Sequence, residues 1–174
     1  MVVLRATQKL LKVLHTTASP SDFSDTALGD WYINRIVVDR QALLLCVAAN
    51  SLLAMITPAR EVKNLPQHFP ELVQNRLQRL GADQTTVDAE VAAMQAVMVG
   101  KTQDRSVVGT MVDFAKVIPY YLPIGGWDME YLEIAEDKLA ETPCRCGRAQ
   151  ATIWPGRDSL RLLQTRWQPV GDVH

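Results

Sequence analysis

The stretch Trp31-Tyr32-Ile33-Asn34-Arg35-Ile36-Val37-Val38, then Asp39-Arg40-Gln41, then Ala42-Leu43-Leu44-Leu45-Cys46-Val47-Ala48, decides the fold class. Trp31, Ile33, Ile36 and Val38 are β-forming residues, and the polar triplet after them supplies a turn. Ala49-Asn50 offers a second turn before Ser51 to Ile56, which stops at Thr57-Pro58. Three strands joined by such short links run antiparallel, because a parallel connection needs a crossover of about a dozen residues or more. Leu43 to Val47 is apolar at every position, so this middle strand is expected to be covered on both faces. Cys46 suits that strand as a small apolar thiol.

On the N-terminal side, Val2 to Leu4 can form a short strand. Thr7 can cap a helix over Gln8 to Leu14, with Leu10, Leu11 and Leu14 on one face. His15 falls at its end, and Thr16 to Asp25 reads as a loop. On the C-terminal side, Phe69, Leu72, Val73, Leu77 and Leu80 recur at helical spacing, with His68 near the start and Gly81 as C-cap. Thr86 can cap a further helix with Val87, Val91 and Met94 inward and Glu90 outward. Val97 and Val99 suit a strand. Asp104 then starts a helix from Arg105 to about Ile118, ended by Pro119 and Pro123. Its expected buried face is Val107, Val108, Met111, Val112, Ala115 and Ile118. Gly109 inside it costs roughly 1 kcal/mol relative to alanine, which predicts close packing there.

Beyond Gly125-Gly126, residues 128–141 carry six acidic residues and one lysine, and form a surface helix in this reading. Residues 145–166 carry five arginines and one aspartate, so the two blocks are expected to face each other. The fold expected is α+β: an antiparallel sheet of about four to five strands with helices packed on it. Residues 1–174 form one domain, with 124–174 as a C-terminal extension packed on the core.

The chain has 174 residues, 48% of them apolar and 21% charged, with a formal net charge of -1. A domain of this length buries roughly 70% of its unfolded surface, so it needs no disulfide or metal staple. A near-neutral balance gives no global pull towards polyanions, which leaves nucleic acid only a local basic patch. No run of about eighteen apolar residues exists to span a membrane. The start lacks the features of a signal peptide. With an odd cysteine count, this points to free thiols in the cytoplasm.

Few segments carry chemistry. Cys144-Arg145-Cys146-Gly147 lacks the spacing and the second pair that structural zinc takes, and Cys46 and His174 are poor completions. Gly100-Lys101-Thr102 lacks the upstream glycines of a phosphate loop. The helix entrance at Arg105 and Ser106 can receive an anion through its free amides. Asp30, Trp31, Asn34 and Arg40 form a second set around the first hairpin, where period two puts Asp30, Tyr32 and Asn34 opposite Trp31 and Ile33. Turn capping by the polar residues and a partly buried Trp31 compete with a polar groove there. No catalytic residue is assigned, and no cofactor or metal is expected.

Two segments together resemble a family of uncharacterised bacterial proteins, the DUF6933 domain. The first is Gly29-Asp30-Trp31-Tyr32-Ile33-Asn34, through Asp39-Arg40 to Asn50-Ser51-Leu52 and Pro58. The second is Lys101-Thr102-Gln103-Asp104-Arg105-Ser106-Val107-Val108-Gly109-Thr110-Met111-Val112-Asp113-Phe114. The family pattern has a polar residue, arginine and serine opening a helix that runs to a glycine and an Asp-Phe pair. Asp104-Arg105-Ser106, Gly109 and Asp113-Phe114 occupy those places. The resemblance spans about residues 1–120, with a weaker echo at Glu141-Thr142-Pro143. It implies a shared fold and marks Asp30, Trp31, Arg40, Arg105 and Ser106 as a shared feature. It brings no activity. Cys144, Cys146 and the arginine-rich tail look like departures.

The leading functional expectation is a binding or regulatory module contacting a protein partner or a second copy. The alternative is a small enzyme acting on a phosphate-bearing or nucleic-acid substrate. It would use an arginine-lined polar pocket in which Arg40 and Arg105 converge near Asp30 or Asp113.

Overall fold

The computed structural model of the protein describes residues 1–145 and 151–168. Its centre is a five-stranded sheet of order β4-β3-β2-β1-β5, built from β1 (Val2–Ala6), β2 (Trp31–Val38), β3 (Gln41–Ala48), β4 (Ala54–Pro58) and β5 (Val97–Lys101). The hairpin block folds as expected, with β2 antiparallel to β3 and β3 antiparallel to β4. The sheet as a whole is mixed rather than antiparallel. β1 pairs in parallel with both β2 and β5, Leu4 lying beside Trp31 on one side and Val99 on the other. Residues 7–30, expected as a helix over Gln8 to Leu14 and a loop over Thr16 to Asp25, form a crossover long enough for a parallel return.

The two-residue turn Asp39-Arg40 has φ values of 48° and 65°. This is the left-handed pair that lets a tight hairpin follow the strand twist.

Among the described residues, six α-helices flank the sheet: α1 (Gln8–Leu11), α2 (Leu65–Leu80), α3 (Gln84–Ala92), α4 (Arg105–Tyr121), α5 (Met129–Ala140) and α6 (Pro155–Trp167). A two-stranded ribbon, β6 (Cys144–Arg145) with β7 (Thr152–Ile153), joins the last two. Strand alternation divides the core in two. Leu4, Trp31, Ile33, Leu44, Cys46 and Met55 pack with Leu10, Phe69, Val73, Leu77, Val87 and Leu163 of α1, α2, α3 and α6. On the opposite face, Tyr32, Leu45, Val47 and Ile56 pack with Val107, Met111, Phe114, Leu132 and Leu139 of α4 and α5. The middle strand β3 is therefore covered on both sides, as its apolar run requires. Burial pushes the Cys46 thiol well above its ordinary range.

Several local expectations need correction. Trp31 is wholly buried rather than partly so, edge-on to Phe69 at 5.5 Å. Glu90 points inward, because α3 lies between the 26–29 loop and α6. Its carboxylate accepts from Ala27 N, Leu28 N and Trp167 Nε1 at 2.8, 3.1 and 2.6 Å. α4 buries the narrower stripe 107/111/114/118, so Val112 is exposed. A side chain at Gly109 would meet nothing within 4 Å, and the close packing expected there is absent. The helix also passes Pro119 to end at Tyr121. The acidic block pairs elsewhere than expected: Glu136 and Asp137 of α5 meet Arg76 and Arg79 of α2. Among the described residues, no arginine of 145–166 pairs with α5. Cys146, Arg148 and His174 lie outside the described residues.

Both sheet edges are closed by specific polar groups. On β4, Arg76 Nε donates to Ala54 O, and Ile56 N donates to Glu136 Oε1, each at 3.2 Å. On β5, Thr17 N and Ala18 N donate to Val99 O, and Val99 N donates to Thr17 Oγ1. Unpaired edge groups invite pairing with another chain, and these contacts satisfy them internally.

Candidate functional site

Helices α4 and α5 cover only the β2–β4 part of their sheet face. Over β1 and β5 that face is covered by the chain from Thr17 to Asp30, and a charged side chain anchors it. Arg5, 1% exposed, donates from Nε to Asp30 Oδ2 at 2.8 Å and from Nη2 to Asp22 O. Its guanidinium lies over the Phe23 ring, 5.6 Å from the centroid. Asp30 also accepts from Ser24 N at 2.9 Å and Ser24 Oγ at 2.7 Å. A buried ion pair is favoured where further hydrogen bonds reach both partners, and Asp22 O and Ser24 supply them here.

Two glycines make room for this arrangement. A Cβ at Gly100 would lie 2.8 Å from Arg5 Nη1. A Cβ at Gly29 would meet the Asn50 amide at 2.7 Å, and Gly29 also has φ +77°, which favours glycine. The 27–30 segment is tied to the β3–β4 turn by Ala49 N to Asp30 O, Asn50 N to Leu28 O and Asn50 Nδ2 to Ala27 O.

Between this pinned loop and the N-terminus of α4 lies an open cleft of about 570 Å³. Phe23 and Ser24 line it from the loop, Asp30 and Tyr32 from the start of β2, Asn50 from the turn, and Gln103, Asp104 and Arg105 from the helix entrance. Asp104 caps the helix, its Oδ1 accepting from Ser106 N at 2.9 Å and from Ser106 Oγ at 2.6 Å. Asp104 N donates to Tyr32 Oη at 2.9 Å. Burial pushes the Tyr32 phenol above its ordinary value, so it stays protonated at neutral pH. Arg105 is exposed at the rim, with no hydrogen bond or ion pair among the described residues.

The residues singled out from sequence are thus divided. Asp30 and Arg105 line the same cleft, and Ser106 stands behind it as part of the cap. Trp31 points to the opposite core, with its Nε1 unpartnered. Asn34 Oδ1 accepts from Thr7 Oγ1 at 3.3 Å. Arg40 sits at the hairpin tip past Val38, and the strand from Tyr32 to Val38 already spans about 20 Å at ~3.3 Å per residue. It does not join Arg105. Asp113 is exposed on α4 and lines no part of the cleft. Sequence reading missed Arg5, Phe23 and Asn50. Arg5 lies in an otherwise apolar strand, and a charge inside a buried run is the one signal that could have found it.

A second buried charged cluster closes the β4 edge. Arg76 Nε lies 3.4 Å and Arg79 Nη2 2.7 Å from Glu136 Oε2. Burial pushes the Glu136 carboxyl up to about 7, against the pull of both guanidiniums. All its close partners belong to the helix–sheet packing, which makes it a structural clasp.

No helix among the described residues is long and apolar enough to cross a membrane. No curated protein and no solved structure matches the chain. The family model of a domain of unknown function matches residues 3–158, past the limit near residue 120 expected from sequence and through β6, β7 and the start of α6. By that match, the chain belongs to the DUF6933 family.

Proposed function

We propose that this chain is a binding module whose ligand is a small polar molecule held between the 22–30 loop and the N-terminus of α4. The observation that carries the reading is the construction of the cleft. Its volume of about 570 Å³ falls in the range of small-molecule sites. Its loop wall is fixed by a desolvated ion pair rather than left to surface packing. Pre-organised walls lower the ordering cost that binding must overcome. The alternative of a phosphate-directed enzyme finds less support. Arg40 lies remote from Arg105, and the carboxylate of Asp104 already occupies the helix terminus where an anion would sit.

A protein-contacting role is supported by a different surface. Tyr120, Ile124, Met129, Tyr131 and Ile134 are large apolar residues left exposed around the end of α4 and along α5. Joined in one patch, such residues would serve a macromolecular contact. It is compatible with the cleft reading, because the cleft draws none of its lining from these residues.

The test is ligand-detected NMR with mixtures of sugars, amino acids and nucleosides, on wild type and Arg105→Ala. Arg105 is exposed, so its replacement is expected to change stability by no more than about 0.5 kcal/mol. The reading predicts at least one ligand whose binding weakens in the variant while the melting transition stays in place. Ligands indifferent to both Arg105→Ala and Phe23→Ala would place binding elsewhere.

A further inference from the structure

We infer that the cleft selects an uncharged planar heterocycle of nucleoside size, which stacks on Phe23 and accepts a hydrogen bond from Tyr32. The inference rests on the cleft reading above and names its ligand class. Three observations carry it.

The first is Phe23. Its ring is 60% exposed in a loop that is otherwise anchored, and the buried Arg5 guanidinium lies over it. The ring is held in position without being covered. An aromatic side chain so placed offers a stacking platform to a flat ring.

The second is Tyr32. It is 3% exposed and lines the cleft, and its oxygen accepts from Asp104 N. Among the described residues, nothing accepts the phenolic hydrogen. That hydrogen is therefore available to a ligand acceptor placed in the cleft. Asn50 adds a side-chain oxygen that accepts nothing among the described residues, beside its Nδ2 bond to Ala27 O. A donor and an acceptor near an aromatic ring match the edge of a heterocyclic base.

The third is charge. Asp30 is neutralised by Arg5, Asp104 serves the helix cap, and among the described residues Arg105 alone supplies positive charge at the rim. The lining has no cationic excess to hold a phosphate. A neutral ring and sugar satisfy it, whereas a dianion would lie against the Asp104 carboxylate.

The experiment is isothermal titration of the full chain with adenosine, guanosine, cytidine and uridine. Their 5′-monophosphates and a set of free amino acids are titrated alongside. At least one nucleoside is expected to bind, with its monophosphate binding no tighter. Affinity is expected to fall about tenfold or more in both Tyr32→Phe and Phe23→Ala, in line with one lost hydrogen bond or stacking contact. Phe23→Ala removes an exposed ring, so it guards against a folding defect in the Tyr32 variant. Monophosphates binding tenfold tighter than nucleosides would overturn the inference. Amino acids binding in place of nucleosides, with the same sensitivity to Phe23→Ala, would overturn the ligand class and leave the cleft reading intact. Absence of binding by every compound in the set would also overturn the class, and the broader screen above then judges the cleft.

Discussion

Replacing Arg5 with methionine tests whether the loop wall of the cleft is pinned to the sheet face it covers. The substitution keeps an unbranched apolar stem and removes the charge. It deletes the 2.8 Å bond to Asp30, the bond to Asp22 O and the contact with the Phe23 ring. With Arg5 1% and Asp30 8% exposed, neither charge is relieved by solvent, and the fractional worth of surface ion pairs does not apply. Breaking a buried pair from one side costs about 3–5 kcal/mol, because the surviving charge stays buried without its partner. That is a large fraction of the roughly 5–15 kcal/mol available to a domain. Urea unfolding of wild type, Arg5→Met, Asp30→Leu and the double variant forms the assay. The double variant is expected to lose less than the sum of the singles by about 2 kcal/mol, within the range of direct contacts. Amide exchange at Ser24 should accelerate in Arg5→Met, since Ser24 N loses a fixed acceptor. A loss below about 1 kcal/mol with additive singles would refute the pin.

Other contacts give independent expectations. Glu136→Gln tests the clasp on β4. Burial raises the folded carboxyl from its ordinary 4.5 to about 7, so its contribution is complete below about pH 4.5 and is lost as pH rises towards 7. Wild type should therefore lose ground against the glutamine variant across that window, by no more than ~1.4 kcal/mol per pH unit. Denaturation at pH 5, 6, 7 and 8 checks this, and a difference that moves the other way contradicts it. Glu90→Ala leaves Ala27 N, Leu28 N and Trp167 Nε1 without their acceptor. The expected cost is about 3 kcal/mol or more from three orphaned donors, and a loss under about 1 kcal/mol would show that water replaces the carboxylate. Arg40→Gly should stabilise the hairpin by roughly 0.5–1 kcal/mol, because Arg40 holds φ 65°. It should leave ligand binding untouched, and a loss of binding would restore Arg40 to the site.

The parts of this molecule legible in the sequence are those governed by local rules. The hairpin from Trp31 to Ala48 follows from two runs of β-forming and apolar residues around one polar turn, the Gly81 cap from a left-handed requirement, and the α4 start from Asp104. The parallel placement of β1 was not legible, since no periodicity in residues 2–6 says which strands flank them. Glu90 shows the same limit. Its spacing on α3 fits an outward position, and only the approach of the 26–29 loop and Trp167 makes the inward one favourable. The cleft was half legible: Asp30 and Arg105 stood out as polar residues at element starts. Phe23 and Asn50 sit in loops without pattern, and Arg5 acquires its meaning from residues 17 to 25 positions away. Arg40 looked equivalent to Arg105 in composition, yet the length of β2 separates them.

A binding role for the cleft requires that ligands enter the space between Phe23 and Arg105. Amide shift mapping of the isotope-labelled chain during addition of the four nucleosides measures this. The largest shifts are expected at Ser24, Asp30, Asn50 and residues 103–105, saturating together at one affinity that falls about tenfold or more in Phe23→Ala. Shifts confined to residues 120–134, or shifts that persist unchanged in that variant, would contradict it.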